Sequence, residues 1–364
     1  MIDLRNVNLD LARVLFALAV VSTHAFKLGF DHNYGFLAVE FFFFVTGYFL
    51  AANVDKHHGN NKTTGEFLKG KYKSFIIIFI SAEILSVISG WAVSSYIAEE
   101  YDLSVLFFNF AMSVEELLCL QMTNIPCFTG TGIGWYFSAM ILGSALLYPI
   151  VVRFRNFSSG VAPVIGVLLL GLVYTKCWGS IANNTVMIYV VPSGLLRGIG
   201  DMCLGLYAYT WTNKIRNTTF TKKGRIALTV LEITTLVVSL LFMFGYRDDM
   251  FGNNQLQFPV IFLIWIFTVV LLSEKSHIHI SNCNKTMQKI SPKLGTLSLL
   301  ILFNHYWVFK YIYSIYPDES SEFLICISII LVVIAMIACY VLYRVISYIC
   351  SRSYTSFVTK DQSE

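Results

Sequence analysis

The sequence predicts an all-α bundle of transmembrane helices, and three of its features support this prediction. Of the 364 residues, 56% are hydrophobic and only 13% are charged, about half the charged fraction of a soluble domain. The mean hydropathy is +0.66. The charges gather in short connectors between apolar runs, each long enough to cross a hydrocarbon core of about 30 Å as a helix. No linker divides the chain, so we expect one membrane domain over residues 1–350, followed by a cytoplasmic tail over 351–364.

The apolar runs and their polar breaks predict about ten membrane-spanning helices. They lie near residues 9–27, 35–53, 74–97, 134–152, 160–175, 187–211, 226–245, 255–273, 294–313 and 321–346. Segment 102–121 has apolar residues at helical spacing, but Glu115 and Glu116 argue against a crossing. We therefore predict an outer interfacial helix there.

Lysine and arginine are unevenly distributed between alternate connectors, which predicts the orientation in the membrane. With the N-terminus inside, the outer segments hold little beyond Lys27, Lys176, Arg247 and Lys310. The inner connectors hold Lys56, Lys62, Lys69, Lys71, Lys73, Arg153, Arg155, Lys214, Arg216, Lys222, Lys223, Arg225, Lys275, Lys285, Lys289 and Lys293. Because cytoplasmic loops are enriched in Lys and Arg, we expect a multi-pass protein of the inner (cytoplasmic) membrane with both termini in the cytoplasm.

Charge and cysteine patterns exclude several other classes. The net charge of +4 is spread over many connectors, so no nucleic-acid partner is expected. Asp10 and Arg13 interrupt the first apolar run, which favours an uncleaved span over a signal peptide. No cysteine or histidine spacing predicts a metal site. A disulfide among Cys119, Cys127 and Cys177 is left open, because pairing depends on geometry.

Ionisable residues inside predicted spans are candidates for function, because burying them in a membrane is costly. Arg13 and His24 are eleven positions apart in the first span, which returns to within about 20° of the same helix face, roughly 16 Å along the axis. Asp10 precedes Arg13 by three positions and can pair with it. The alternative is that Arg13 reaches toward the headgroups and His24 only marks the outer helix end.

Three further spans carry such residues. Arg197 and Asp201 have i,i+4 spacing in the sixth span, which favours a structural ion pair between them. His305 in the ninth span is either a hydrogen-bonding residue of the bundle or a catalyst. Glu40 in the second span has three open roles, namely orienting His24, pairing with a cation or binding an acceptor.

Asp10, Arg13 and His24 also form a recognisable opening, in which ten residues separate Arg13 from His24. This opening resembles the signature of the acyltransferase-3 family of membrane O-acyltransferases. Further segments resemble that family's other motifs, namely 35–48 (GFLAVEFFFFVTGY), 67–73 (FLKGKYK), 135–139 (WYFSA) and 302–305 (LFNH). The resemblance extends over nearly the whole membrane domain.

Two features depart from the family pattern. Family members commonly carry two arginines three positions apart before the third span, whereas this chain has Lys71 and Ser74 at those positions, with Lys73 beside them. Lysine lacks the bidentate fork of arginine. The chain also has no appended hydrolase-like domain of the kind found in some members.

The resemblance implies transfer of an acyl group, usually acetyl, from acyl-CoA to a hydroxyl of an envelope polysaccharide, an exopolysaccharide glycan or a lipid-linked precursor. It implies that His24 is the general base and that Arg13, Lys71 and Lys73 bind the CoA phosphates. Supporting or acceptor-side positions are Asp10, Glu40, Tyr48, Trp135 and His305. Acyl-CoA is then a co-substrate with no permanently bound cofactor, and polysaccharide export or assembly proteins are possible partners.

A transporter or flippase for a glycan or lipid is the competing interpretation, with the intramembrane charges lining its path. Such a protein often carries an internal repeat of spans with broken helices. No clear similarity relates the two halves of this sequence. A purely structural membrane protein would leave the shared face of Arg13 and His24 unexplained.

Overall fold

The computed structural model describes residues 6–25, 34–57, 62–125, 130–245, 256–278 and 285–361, and it contains almost only helices. The α-helices are α1 Val7–His24, α2 Ala38–Lys56, α3 Thr64–Lys73, α4 Ile76–Ala98, α5 Leu103–Leu117, α6 Gly134–Arg153, α7 Ala162–Lys176, α8 Ser193–Asn217, α9 Lys222–Gly245, α10 Gln257–Ser273, α11 Lys285–Ile315 and α12 Ser321–Asp361. One short hairpin pairs β1 Met187–Ile188 with β2 Val191–Pro192. The predicted all-α fold is confirmed.

Each predicted span overlaps one helix of the structure. Within the described residues, six helical segments are long and apolar enough to cross a membrane, and they belong to α1, α2, α4, α6, α9 and α12. Two more apolar helices, α7 and α10, are shorter. The chain is therefore a multi-pass membrane protein, and ten crossings stay a prediction.

The predicted span 187–211 begins too early. Residues 187–192 form the antiparallel hairpin, and α8 starts at Ser193 directly after Pro192. Proline has no N–H and fixes its own φ, so it commonly stands where a helix begins. The predicted interfacial segment 102–121 does contain a helix, α5, which Asp102 caps through its bond to the Ser104 N–H.

Helices α2 and α8 form the most extensive contact in the bundle. Their backbones approach closely at Gly47 and Gly205, where an added Cβ would overlap the Met202 and Phe44 carbonyl oxygens respectively. Small residues allow such close helix packing in membranes, where van der Waals contact replaces the hydrophobic driving force. This approach fixes the depth at which α2 presents its side chains to the interior.

Helix α1 packs mainly against α11 and also touches α2. Phe16 of α1 stacks on Phe41 of α2 with ring centroids 4.2 Å apart. The N-terminal ends of α1, α9 and α11 lie with the C-terminal ends of α2, α8 and α10, as the bond from Asn6 Nδ2 to Glu274 Oε1 illustrates. We call this the Arg13 end of the bundle and the opposite one the His24 end.

Candidate functional site

Helix α1 carries Arg13 and His24 toward opposite ends of the bundle. Arg13 Nη1 lies 2.9 Å from Asp10 Oδ1, so the predicted pair is present. Asp10 is almost fully buried and also accepts a 2.5 Å bond from Ser291 Oγ of α11. This second bond holds the carboxylate, so Asp10 orients the Arg13 guanidinium.

A cavity of about 480 Å³ opens beside Arg13, and we call it the Arg13 cavity. Lys71 at the end of α3 lines it as the second basic residue, and Ser74, Thr296 and Ser298 add hydroxyl groups. Burial and, secondarily, the nearby Arg13 charge lower the pKa of Lys71 to about 8. Two close cations without a carboxylate between them are suited to bind an anion such as a phosphate.

A smaller cavity of about 150 Å³ lies toward the other end, and we call it the His24 cavity. His24, Trp135, Asn184 and Arg197 supply its polar groups. Phe42, Tyr136 and Leu302 line both cavities and therefore form the boundary between them. The cation pair and the imidazole thus face adjoining spaces separated by these three side chains.

The structure brings His305 of α11 next to His24. Their ring centroids lie 5.2 Å apart, and the Tyr306 ring meets His24 edge-on at 4.9 Å. His305 Nδ1 lies 2.9 Å from the Ile301 carbonyl oxygen. Because a carbonyl only accepts, Nδ1 carries the hydrogen, and Nε2 of the neutral ring is a buried acceptor without a partner among the described residues. Of the two roles left open for His305, the bundle hydrogen bond is present.

Glu40 pairs with Arg197 across α2 and α8. Arg197 Nε donates to Glu40 Oε1 at 2.9 Å and Nη2 donates to Oε2 at 2.6 Å. The same guanidinium donates to the carbonyls of Ile181 and Phe36, and Trp135 lies 5.7 Å from it at the ring centroid. Of the three roles open for Glu40, the structure shows the pair with a cation.

The predicted ion pair between Arg197 and Asp201 is wrong. Asp201 is fully buried, and neither carboxylate oxygen has a hydrogen-bond partner among the described residues. The i,i+4 spacing would permit the pair, but Glu40 offers a bidentate, side-on geometry that a neighbour on the same helix does not.

Two predicted site residues lie away from both cavities. The Tyr48 hydroxyl accepts a 3.2 Å bond from Arg216 near the Arg13 end. Lys73 is exposed and lines neither cavity, although Lys71, two positions earlier, does. The helical turn directs adjacent odd positions to different faces.

Sequence reasoning missed a second buried cluster, which is formed by Glu83 of α4 and Glu116 of α5. Glu116 accepts bonds of 2.5 Å from the Gly130 N–H and the Thr131 hydroxyl, while both Glu83 oxygens are buried without a partner in the described chain. Two adjacent buried carboxyl groups do not readily ionise together. The next residue, Gly132, has φ +73° and packs on the Tyr306 ring, where a Cβ would overlap it. This loop therefore covers the aromatic neighbour of His24.

The described residues hold no group of three or more His, Cys, Asp or Glu side chains placed to bind a metal ion. Cys119 and Cys177 are free thiols, and Cys127 lies outside the described residues.

Comparison with known proteins gives one match. A sequence model described as an acyltransferase domain matches residues 6–344. Neither a curated protein nor a solved structure matches the chain. The family model covers α1 to most of α12, including every residue that lines the two cavities.

Replacing Arg197 alone should strongly destabilise the fold. Arg197→Met leaves Glu40 buried without its cation, which typically costs about 3–5 kcal/mol. Glu40→Gln/Arg197→Met should recover most of this loss, because the uncompensated charge is gone. Thermal unfolding of the purified protein in detergent measures both, with the exposed Lys69→Met as a control. A single variant as stable as the control would contradict the structural role of the pair.

Proposed function

Because the chain belongs to the acyltransferase-3 family, we propose that this membrane acyltransferase moves an acyl group, chiefly acetyl, from acyl-CoA to a hydroxyl of an envelope or exopolysaccharide glycan or its lipid-linked precursor. The observation that carries the proposal is the adjacency of the two cavities. Cations suited to phosphates line one, a histidine lines the other, and Phe42, Tyr136 and Leu302 line both.

Arg13 and Lys71 are assigned to the phosphates of the donor. The ion pair with Asp10 keeps Arg13 in place, and Lys71 adds a second charge from α3. Because Lys73 is exposed and outside the cavity lining, its contribution is limited to attracting the polyanion. The acyl thioester then points past the shared boundary toward His24.

His24 is assigned as the general base. Its neutral imidazole takes the proton of the acceptor hydroxyl as the oxygen attacks the thioester carbonyl carbon. The carbon–sulfur bond breaks, and the CoA thiolate leaves with that proton. His305 supports this role, because its unpartnered Nε2 is an acceptor facing the same space. An N–H of His24 directed to His305 would leave the other ring nitrogen basic.

The small His24 cavity favours a short acyl group. A cavity of about 150 Å³ holds a molecule of roughly benzene size, and the acceptor hydroxyl shares this space. The aromatic walls formed by Phe36, Trp135 and Tyr136 also suit a sugar ring. These features support acetyl as the donor group and a glycan as the acceptor.

The cytoplasmic donor requires the Arg13 end to face the cytoplasm. The excess of basic residues at this end supports that orientation in the cytoplasmic membrane.

Reporter fusions test the orientation. Fusions after residues 62, 220 and 285 should report the cytoplasmic side, and a fusion after residue 120 should report the opposite side. Ten crossings with both termini in the cytoplasm produce this pattern. A fusion at residue 62 reporting outside would overturn it.

Transfer of labelled acetyl from acetyl-CoA to isolated envelope glycan, catalysed by the purified protein, tests the function. His24→Gln should lower the transfer rate by about 10²–10⁴-fold, because the amide hydrogen-bonds but takes up no proton. Donor binding and thermal unfolding of this variant should match the parent protein. Transfer near the parent rate by a folded His24→Gln would remove this histidine from the mechanism, and no acetyl transfer or release by the parent would favour a transporter.

Donor affinity should fall as pH rises through about 8. The lowered pKa means that Lys71 is charged below pH 8 and loses its proton above it. Loss of one charge-assisted phosphate contact should raise the apparent KM for acetyl-CoA roughly tenfold. Lys71→Arg should abolish the rise, because guanidinium keeps its charge. Lys73→Arg should retain it, and an unchanged pH profile in Lys71→Arg would exclude Lys71 as its source.

A further inference from the structure

A third cavity lies at the Arg13 end and shares no lining residue with the other two. It is a basin of about 510 Å³ where the end of α8, the start of α9 and the end of α10 meet. Its lining consists of Arg216, Thr219, Phe220, Arg225, Ser273, Glu274 and Lys275. The acyl transfer proposed above makes no use of this basin.

The basic side chains of the basin are held by backbone contacts. Arg216 Nη2 donates to the Leu272 carbonyl at 2.6 Å, and Arg225 Nε donates to the Lys275 carbonyl at 3.3 Å. Glu274 is the one acidic residue of the lining, and its carboxylate accepts a bond from Asn6. Three cations therefore face one carboxylate, and the basin keeps an excess of positive charge.

An exposed apolar stripe begins beside the basin. Ile226 follows Arg225, and the stripe continues along α9 at helical spacing. Its members are Ile226, Val230, Ile233, Val237 and Leu241, all of which have exposed side chains. In a membrane-spanning helix such a face contacts lipid tails. A charged basin and a lipid-facing stripe thus meet at one point of the surface.

We propose that this basin binds the phosphate headgroup of an anionic phospholipid, whose acyl chain lies along the exposed stripe of α9. Basic pockets between helices at the cytoplasmic side bind such headgroups. A hydroxyl from Thr219 or Ser273 lies in the same lining to donate to phosphate oxygens. The phosphates of CoA share this chemistry, but they come without a hydrocarbon chain in the bilayer to occupy the stripe. The proposal does not depend on acyl transfer.

Native mass spectrometry of the full-length protein, titrated with phosphatidylglycerol in mixed micelles, tests the proposal. Arg225→Gln/Lys275→Gln removes two basin charges and leaves Arg216 with its structural bonds. Lys222→Gln/Lys223→Gln is the matched control, because it removes two exposed charges from the same end of α9 but outside the lining. Each charge near the surface contributes about tenfold or less, so the basin variant should bind about 30-fold more weakly.

Further arms separate the outcomes. The control should change by less than about threefold, and Arg225→Lys/Lys275→Arg should restore binding, which excludes misfolding as the cause. Equal losses in both charge-removal variants would indicate general surface attraction and overturn the proposal, as would no loss in either. Displacement of phosphatidylglycerol by soluble CoA would assign the basin to the donor nucleotide and also overturn it.

Discussion

The paired charges of Glu40 and Arg197 set the constraint around which the His24 end of the bundle is arranged. Taking two ions out of water costs several kcal/mol each, and only good geometry with further hydrogen bonds offsets that cost. Here the guanidinium makes two bonds to the carboxylate and two to the carbonyls of Phe36 and Ile181. One side chain therefore ties α2, α8 and two irregular segments together. Arg197 also lines the His24 cavity, so the same pair defines a wall of the site.

Close packing elsewhere in the bundle makes this arrangement possible. The approach of α2 to α8 at Gly47 and Gly205 sets how far Phe42 reaches from α2 toward Tyr136 of α6. On the opposite side, Phe303 stacks between Phe79 and Phe137, which fixes α11 and with it the neighbouring Leu302 and His305. The boundary between the two cavities thus comes from three helices whose positions are each fixed by separate contacts. Small changes in helix packing would open or close it.

The sequence predicted the helices and the single-helix relations well, because these depend on local periodicity. Apolar run length located the spans, and the 3.6-residue period placed Arg13 and His24 along one helix and Asp10 beside Arg13. Contacts between distant helices carry no such signal. Glu40 and Arg197 are 157 positions apart, and His305 meets His24 only because α1 packs on α11. For Arg197 the local spacing pointed to Asp201, and the long-range partner prevailed because it satisfies more of the guanidinium.

The order of polar groups along α1 carries a further consequence for the proposed reaction. A thioester is open to hydrolysis wherever water reaches it with a base nearby, so a transferase must keep its base away from water on the donor side. In this chain the phosphate-binding cations and the imidazole face separate cavities, and the boundary between them is made of Phe42, Tyr136 and Leu302. Bulky side chains exclude water there while leaving a narrow acyl arm room to pass. Separation of binding from chemistry by this boundary therefore explains why the two functional ends of α1 lie roughly three helical turns apart.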